Sequence, residues 1–196
     1  MEIRISTNFP DVQRKLESLR KDIAEKALRS AVNKTIGQAQ TQMIRGIRNE
    51  FNLTSAKIRE KLFIRKAYAA SGRWGISATL ESKTPGGKRR AINLINFLKN
   101  AAGRKRKGSK SELRFKIKRA GGLKSVTGAF VGNKGRTVFA RVGPGRLPIK
   151  PVSTIDVPQM FNTRRINERV IAFINSKFVE LFERDVSYYT QRFGSR

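Results

Sequence analysis

The sequence contains no cysteine and no histidine among its 196 residues. Disulfide bonds, thiol nucleophiles, zinc sites built from Cys and His, and triads that need an imidazole base are therefore excluded. No stretch approaches the roughly 20 apolar residues of a membrane-spanning helix. Residues 1–22 also lack the apolar segment and small-residue cleavage site of a signal peptide. We therefore expect a soluble intracellular or assembled protein with no cofactor, no bound metal and no membrane contact.

Acidic residues are scarce: 14 Asp and Glu stand against 43 Lys and Arg, for a net charge of +29. So many positive side chains repel one another, so the functional state of the protein is expected to include a polyanion or an acidic protein surface. The excess is concentrated between Lys83 and Lys124, where Glu112 is the only acid. Nucleic-acid contacts are predicted at ten basic residues of this region, namely Lys88, Arg89, Arg90, Arg104, Lys105, Arg106, Lys107, Lys110, Lys116 and Lys118.

The sequence carries no motif that reads bases. A helix-turn-helix, a zinc finger and the aromatic motif of RNA-recognition domains are all missing. Contacts with nucleic acid are therefore predicted to go to backbone phosphates, without base specificity. A basic run is also typical of a solvated surface that merely keeps a protein soluble, and that alternative stays open.

Apolar residues spaced three and four apart predict a long amphipathic helix near the N-terminus. The spacing runs from Val12 to Phe51 and indicates one helix of about forty residues, bent near Gly37 or Gly46. A second, short helix is expected to begin after an N-cap at Thr54 and to end near residue 62.

The same spacing predicts a C-terminal helix over residues 163–193. Its solvated side is expected to carry the carboxylates of Glu168, Glu180, Glu183 and Asp185. Both long helices therefore have the pattern of packed helices with one solvent-exposed face. The excess positive charge belongs to the region between them.

Alternating apolar and polar residues predict short antiparallel strands. The predicted strands are residues 2–6, 73–82, 113–118, 129–131 and 137–142. Residues 91–98 fit either a strand or a helical turn. Four prolines between positions 144 and 158 predict that residues 143–160 form an extended arm without regular structure.

Together these elements predict one α+β domain over residues 1–196, with the long N-terminal and C-terminal helices packed on an antiparallel β-sheet. It divides into a helical part, a sheet with basic loops, the proline-rich arm and the last helix, at residues 9–62, 63–142, 143–160 and 163–193. The arm has too few apolar residues to fold on itself. A subunit interface is therefore predicted at its apolar side chains, which are Leu147, Ile149, Val152 and Ile155.

The tripeptide Glu81-Ser82-Lys83 has the Glu-x-Lys spacing of some metal-dependent nucleases. The second carboxylate would have to come from Asp156, Glu112 or Glu60, and none of these stands in a recognisable motif. The spacing arises often in a lysine-rich chain, which favours a surface ion pair at a strand end. No enzymatic activity is therefore expected.

Three stretches resemble the prophage minor tail protein Z, or tail completion, family of long-tailed phages. They are ALRSAVNKT (27–35) leading into LTSAKIR (53–59), GAFV (128–131) with TVFAR (137–141), and RLPI (146–149) leading into VPQMF (157–161). These motifs are structural and transfer no active site. The resemblance implies a virion protein at the head-proximal end of the tail, assembled in the host cytoplasm.

The resemblance also implies partners. These are further copies in a ring, with six as one expected number, other phage tail or neck proteins, and double-stranded DNA bound without sequence specificity. Two other functions stay open. One is a free-standing architectural protein that binds nucleic acid nonspecifically, and the other, more distant, is a metal-dependent nuclease.

Overall fold

The computed structural model describes residues 2–5, 12, 14–15, 18–68, 76–83, 91–99 and 113–193. Its helices are α1 (Lys21–Glu50), α2 (Ser55–Arg59), α3 (Val157–Phe161) and α4 (Arg164–Phe193), with a 3₁₀ helix at Leu94–Phe97. Its strands are β1 (Glu2–Ile5), β2 (Leu62–Arg65), β3 (Ala78–Ser82), β4 (Arg114–Phe115), β5 (Lys124–Ser125), β6 (Ala129–Gly132), β7 (Thr137–Arg141) and β8 (Ile149–Pro151). The predicted α+β class is confirmed. None of the helices described is both long and apolar enough to cross a bilayer.

Helices α1 and α4 lie antiparallel and pack along their whole lengths, since Gly46 meets Ile166, Lys34 meets Asp185 and Lys26 meets Phe193. Alanines of α1 are fully buried, and α4 buries large side chains such as Phe178. Small residues on one helix allow the large ones of the other to fill the space between them, which gives a densely packed core.

Two glycines of α1 differ in what surrounds them. A methyl group at Gly46 would lie 2.9 Å from Cγ2 of Ile166, whereas one at Gly37 would meet nothing within 4 Å. Glycine in a helix interior costs roughly 0.5–1 kcal/mol relative to alanine. We expect Gly37→Ala to stabilise the protein by about that amount. Gly46→Ala is expected to destabilise it, because the β-branched and buried Ile166 has to move.

Urea unfolding midpoints of the two alanine variants measure this difference. Because both substitutions make the same chemical change in the same helix, each is the control of the other. Equal stabilisation by both would contradict the close approach of α4 to α1 at Gly46.

The first helix starts later than its sequence pattern predicts. Val12, Arg14 and Lys15 are helical, but residues 18–20 form a turn and Arg20 is extended, with ψ of 134°. From there α1 continues through Gly37 and Gly46 as one helix. Val12 is buried like the apolar residues of α1. The apolar spacing therefore continues across the turn, because it reports which side chains face the core and not whether the backbone is unbroken.

The short second helix also ends earlier than predicted, at Arg59. Thr54 is its N-cap as expected, although its side chain makes no capping hydrogen bond. The chain then forms strand β2, which pairs with β3 from Leu62↔Ser82 to Arg65↔Thr79. Pairing with a distant strand overrides the local helical pattern at residue 62.

The strands form three small antiparallel sheets, in the orders β1-β3-β2, β4-β5 and β6-β7-β8. In the first sheet, Ala78 and Leu80 of β3 are buried beneath α1 and the predicted alternation over the described residues 76–82 is confirmed. The predicted residues 73–75 lie outside the described part of the chain.

Asp185 does not lie on the solvated side of the last helix, where it was expected. Its side chain is buried, and both its oxygens accept hydrogen bonds from Nζ of Lys34, at 2.8 and 2.9 Å. Glu168, Glu180 and Glu183 are exposed as predicted. The ion pair across the α1–α4 interface replaces the water that a buried carboxylate loses.

The predicted arm is more regular than expected. Residues 149–151 form β8 along β7, and residues 157–161 form α3, whose N-cap Asp156 makes a capping box with Gln159. Pro151 is tolerated because β8 is an edge strand, and Pro158 because it lies in the first turn of a helix. The prolines therefore mark an edge strand and a helix start, and only part of the arm lacks regular structure.

The uncertain segment 91–98 contains the 3₁₀ helix, and its N-cap Asn93 anchors the third sheet. Asn93 Oδ1 accepts a hydrogen bond from Val138 N at 2.9 Å, and Nδ2 donates one to Val138 O at 3.1 Å. Val152 N also donates to Val138 O, at 2.9 Å. These bonds hold β7 beside the 3₁₀ helix, and the side chain of Val138 is buried in the core.

Candidate nucleic-acid interface

Only two of the ten basic residues predicted to contact nucleic acid lie in the described part of the chain. Lys118 is exposed and Lys116 is half-buried, on a segment whose Leu113 and Phe115 are buried. The predicted alternation of this segment is confirmed, although only β4 is a strand. The remaining eight lie outside the described residues: Lys88, Arg89, Arg90, Arg104, Lys105, Arg106, Lys107 and Lys110.

The third sheet carries positive charge that the sequence prediction did not include. Residues 113–155 contain no Asp or Glu. Within this stretch the sheet and its loops expose five cations, which are Lys134, Arg136, Arg141, Arg146 and Lys150. Among the described residues, none of these five forms an ion pair with a carboxylate. The sequence itself carries this signal, since residues 125–155, beyond the predicted basic region, hold these five cations and no acidic residue.

The two faces of the third sheet differ in burial. Val138 and Ala140 are buried, and Ala129 and Val131 opposite them pack against the core. The other face is solvated. We call it the outer sheet face and define it by the side chains of Phe130, Phe139, Arg141, Ile149 and Pro151.

Phe130 and Phe139 lie directly opposite each other on β6 and β7. Their ring centroids are 6.0 Å apart with an interplanar angle of 29°, and the guanidinium carbon of Arg141 lies 5.3 Å from the Phe130 ring centroid. Phe139 leans over Gly132, where a methyl group would lie 3.0 Å from the ring. The outer sheet face thus presents an aromatic pair beside a planar cation.

The turn between β6 and β7 places two cations at one end of this face. Asn133 and Lys134 have φ of 50° and 52°, and Gly135 has φ of 83°. Such left-handed residues match the twist of the flanking strands and produce a tight hairpin. Lys134 and Arg136 therefore project at its tip, where both are exposed.

Two of the four predicted interface residues are exposed. Leu147 retains 71% and Ile149 39% of its accessible surface. Val152 and Ile155 are instead half-buried and pack against the core of their own chain. The two exposed residues lie at the β7–β8 end of the sheet, where Val142 is 57% exposed.

Glu81 makes ion pairs on both sides, with Arg65 at 2.9 Å and Lys83 at 2.6 Å. The hydrogen bond from Lys83 and the charge of Arg65 hold the pKa of Glu81 below its usual value of 4.5, against the opposing effect of partial burial. Of the proposed partners, Asp156 caps α3 and Glu60 is exposed at the end of α2; the third, Glu112, lies outside the described residues. The surface ion pair that was predicted is confirmed.

No cluster of three or more Asp or Glu side chains in the described ranges has the arrangement of a metal site. Glu81 is ionised at neutral pH, and its oxygens are engaged by two cations. Its arrangement is that of a charge-balanced strand end and not of an acid–base or metal-binding group.

Comparison with known proteins identifies one family. The model of the family described as prophage minor tail protein Z matches residues 11–195, nearly the whole chain. No curated protein and no solved structure shows significant similarity to this chain. Proteins of this family are structural components of phage tails, which places the chain in the virion among other tail proteins. The chain therefore belongs to the prophage minor tail protein Z family.

Proposed function

We propose that this tail protein completes the tail at its head-proximal end, as a single-domain subunit of a ring whose basic surface faces the double-stranded DNA. The observation that carries the proposal is the acid-free stretch of residues 113–155. It contains ten cations, Arg114, Lys116, Lys118, Arg119, Lys124, Lys134, Arg136, Arg141, Arg146 and Lys150. A surface of this kind attracts phosphates of any sequence.

The chemistry of the surface suits a DNA that moves. Phosphate contacts position nucleic acid without reading its bases, and they weaken as salt screens them. The exposed cations of the third sheet lie on short strands and turns, and none lies on a helix shaped to enter a major groove. A genome can slide past such a surface because each contact is interchangeable with the next.

Subunit contacts are proposed at the β7–β8 end of the third sheet. Leu147, Ile149 and Val142 expose apolar surface there. Copies that each carry a charge of +29 repel one another, so a ring needs apolar contacts or bound anions to hold it together. Burial of these three side chains in a neighbouring subunit supplies such a contact.

Complementation of a phage that lacks this chain tests the proposal. We expect filled heads and separate tails to accumulate without it, and a gold label on the restored protein to mark the head-proximal end of the tail. The double variant Leu147→Ser/Ile149→Ser should fail to restore joining and should lose oligomers in light scattering. Ile171→Ser is the matched control, because Ile171 is a similarly exposed isoleucine on α4, at 46%.

A label at the distal end of the tail would contradict the proposed position. Protein found on intracellular DNA and missing from particles would favour the architectural alternative. Full complementation by the double variant would show that Leu147 and Ile149 do not form the subunit interface.

A further inference from the structure

We propose that the part of the outer sheet face formed by Phe130, Phe139 and Arg141 binds single-stranded nucleic acid, with bases stacked on the two rings and phosphates held by Arg141 and the cations of the neighbouring turn. Ile149, at the β8 edge of the face, stays available for the subunit contact. This inference rests on the DNA contact of the proposed function and deepens it by naming a site and a strand state. It assigns a role to two aromatic side chains that a purely phosphate-binding surface does not use.

The geometry of the aromatic pair is the first step. Phe130 and Phe139 stand opposite each other on neighbouring strands, half-exposed, while the residues beside them on β6 and β7 pack into the core. Aromatic side chains on the solvated face of an antiparallel sheet are a recurrent platform for unpaired bases. The rings need no hydrogen-bonding partner, so any base can stack on them.

The charge around the pair is the second step. Arg141 lies against Phe130, and Arg136 is exposed in the turn that joins β6 and β7. A guanidinium group next to an aromatic ring can stack on a base and bind a phosphate as well. Because residues 113–155 include no carboxylate, nothing in this segment of the chain repels a strand that follows the sheet.

Strand state is the third step. In a duplex the bases stack on one another, and their faces are closed to protein side chains. Only an unpaired strand gains from Phe130 and Phe139, so the face is expected to prefer single strands beyond what its charge provides. A protein partner would instead rely on apolar contacts and exclude the bases.

The first sheet supplies a matched control. Phe63 of β2 is 36% exposed, and Nζ of Lys83 lies 6.0 Å from its ring centroid. Directly opposite Phe63 on β3, however, is the carboxylate of Glu81. Phe63 therefore resembles the outer sheet face in having an exposed ring near a cation, but it differs in having a negative charge beside it.

Fluorescence anisotropy with the full chain tests the proposal. The probes are labelled oligothymidine of about 20 nucleotides, longer than typical sites of about 4–16 nucleotides, and a duplex of equal length. We expect Phe139→Leu to weaken single-strand binding roughly fivefold or more, since stacking on one aromatic ring is worth at least that factor. Duplex binding and the salt dependence should change little, and Phe63→Leu should change neither affinity.

A second variant keeps both rings and moves one. Gly132→Val places a side chain where Phe139 now lies, at a position whose backbone tolerates any residue, so it should also weaken single-strand binding. Circular dichroism melting of each variant checks that the fold is retained.

The outcomes separate this inference from the proposed function. If wild type binds duplex DNA and Phe139→Leu leaves single-strand affinity unchanged, the stacking site is wrong and the phosphate-binding surface stands. If wild type binds neither probe, both proposals fail. If Phe139→Leu instead alters the oligomer mass without altering affinity, a second copy covers the face and the inference is overturned.

Discussion

Replacement of Arg136, Arg146 and Lys150 by glutamine is expected to lower the affinity for double-stranded DNA on the order of 100-fold at about 0.1 M salt. Each phosphate contact contributes about −0.9 to the slope of log K against log salt, so the triple variant should flatten this slope by about two to three. Arg141 is left in place, which preserves the aromatic pair and its neighbouring cation. All three residues are exposed, and their loss should hardly change the stability of the fold.

A control variant separates local contacts from overall charge. Replacing Arg48, Arg165 and Arg169 by glutamine removes the same three charges from exposed positions on α1 and α4. If DNA responds only to the net charge of +29, both triple variants lose affinity equally. A larger loss for the sheet variant locates the DNA on the third sheet.

The basic residues at 104–107, which lie outside the described part of the chain, offer an independent comparison. Changing all four to glutamine is expected to flatten the salt slope by about two to four. These residues are Arg104, Lys105, Arg106 and Lys107. If these residues bind an acidic tail protein instead of DNA, their replacement would leave the salt slope unchanged while head–tail joining fails. If only the variant at residues 104–107 lowers DNA affinity, the third sheet does not contact DNA.

The second large effect is expected at the ion pair between α1 and α4. Lys34→Met should lower the free energy of unfolding by about 2–3 kcal/mol, because it leaves the buried carboxylate of Asp185 without its main partner. The figure lies below the usual range for a broken buried pair, since Arg184 remains 3.5 Å from the carboxylate.

The opposite change should cost less. Asp185→Asn is expected to lower the free energy of unfolding by about 1 kcal/mol, because a buried amide still bonds to Lys34, whose side chain is 46% exposed and stays hydrated. Urea unfolding followed by circular dichroism measures both variants. Arg164→Met, which breaks the exposed pair with Glu168, serves as control and should change stability by less than about 0.5 kcal/mol. A larger loss of unfolding free energy for Asp185→Asn than for Lys34→Met would contradict this explanation, because it would show that an unpaired buried carboxylate is not the more costly state.

Local patterns were sufficient to predict most elements of this fold. The apolar stripe of α4 predicted residues 163–193, and the helix covers Arg164–Phe193. Alternation around a glycine-rich turn predicted β6 and β7. Each of these signals depends on residues close together in the chain, where backbone geometry alone sets which side chains share a face.

Features that depend on distant contacts escaped the same reasoning. Strand β2 exists because β3 lies beside it, and β8 because β7 does. Asp185 follows Leu181 and Phe182 by four and three residues and so lies on the buried face of α4, although its charge alone predicted exposure. Lys34 on another helix supplies the partner that compensates its burial. A pattern along one element cannot register a partner on another element, which lies 151 residues away for Lys34 and Asp185.

The candidate site divides in the same way. Its positive charge and the acid-free stretch of residues 113–155 are properties of the amino-acid sequence, as is the family resemblance. The sequence alone does not show which face of the third sheet meets solvent. Val138 packs into the core while Asn93 bonds to its backbone, and the pleat of β7 then places Phe139 and Arg141, with Phe130 opposite, on the outer face. The excess of cations therefore follows from the sequence alone, whereas packing against the core decided which side chains the outer sheet face exposes, because burial is settled by the whole chain at once.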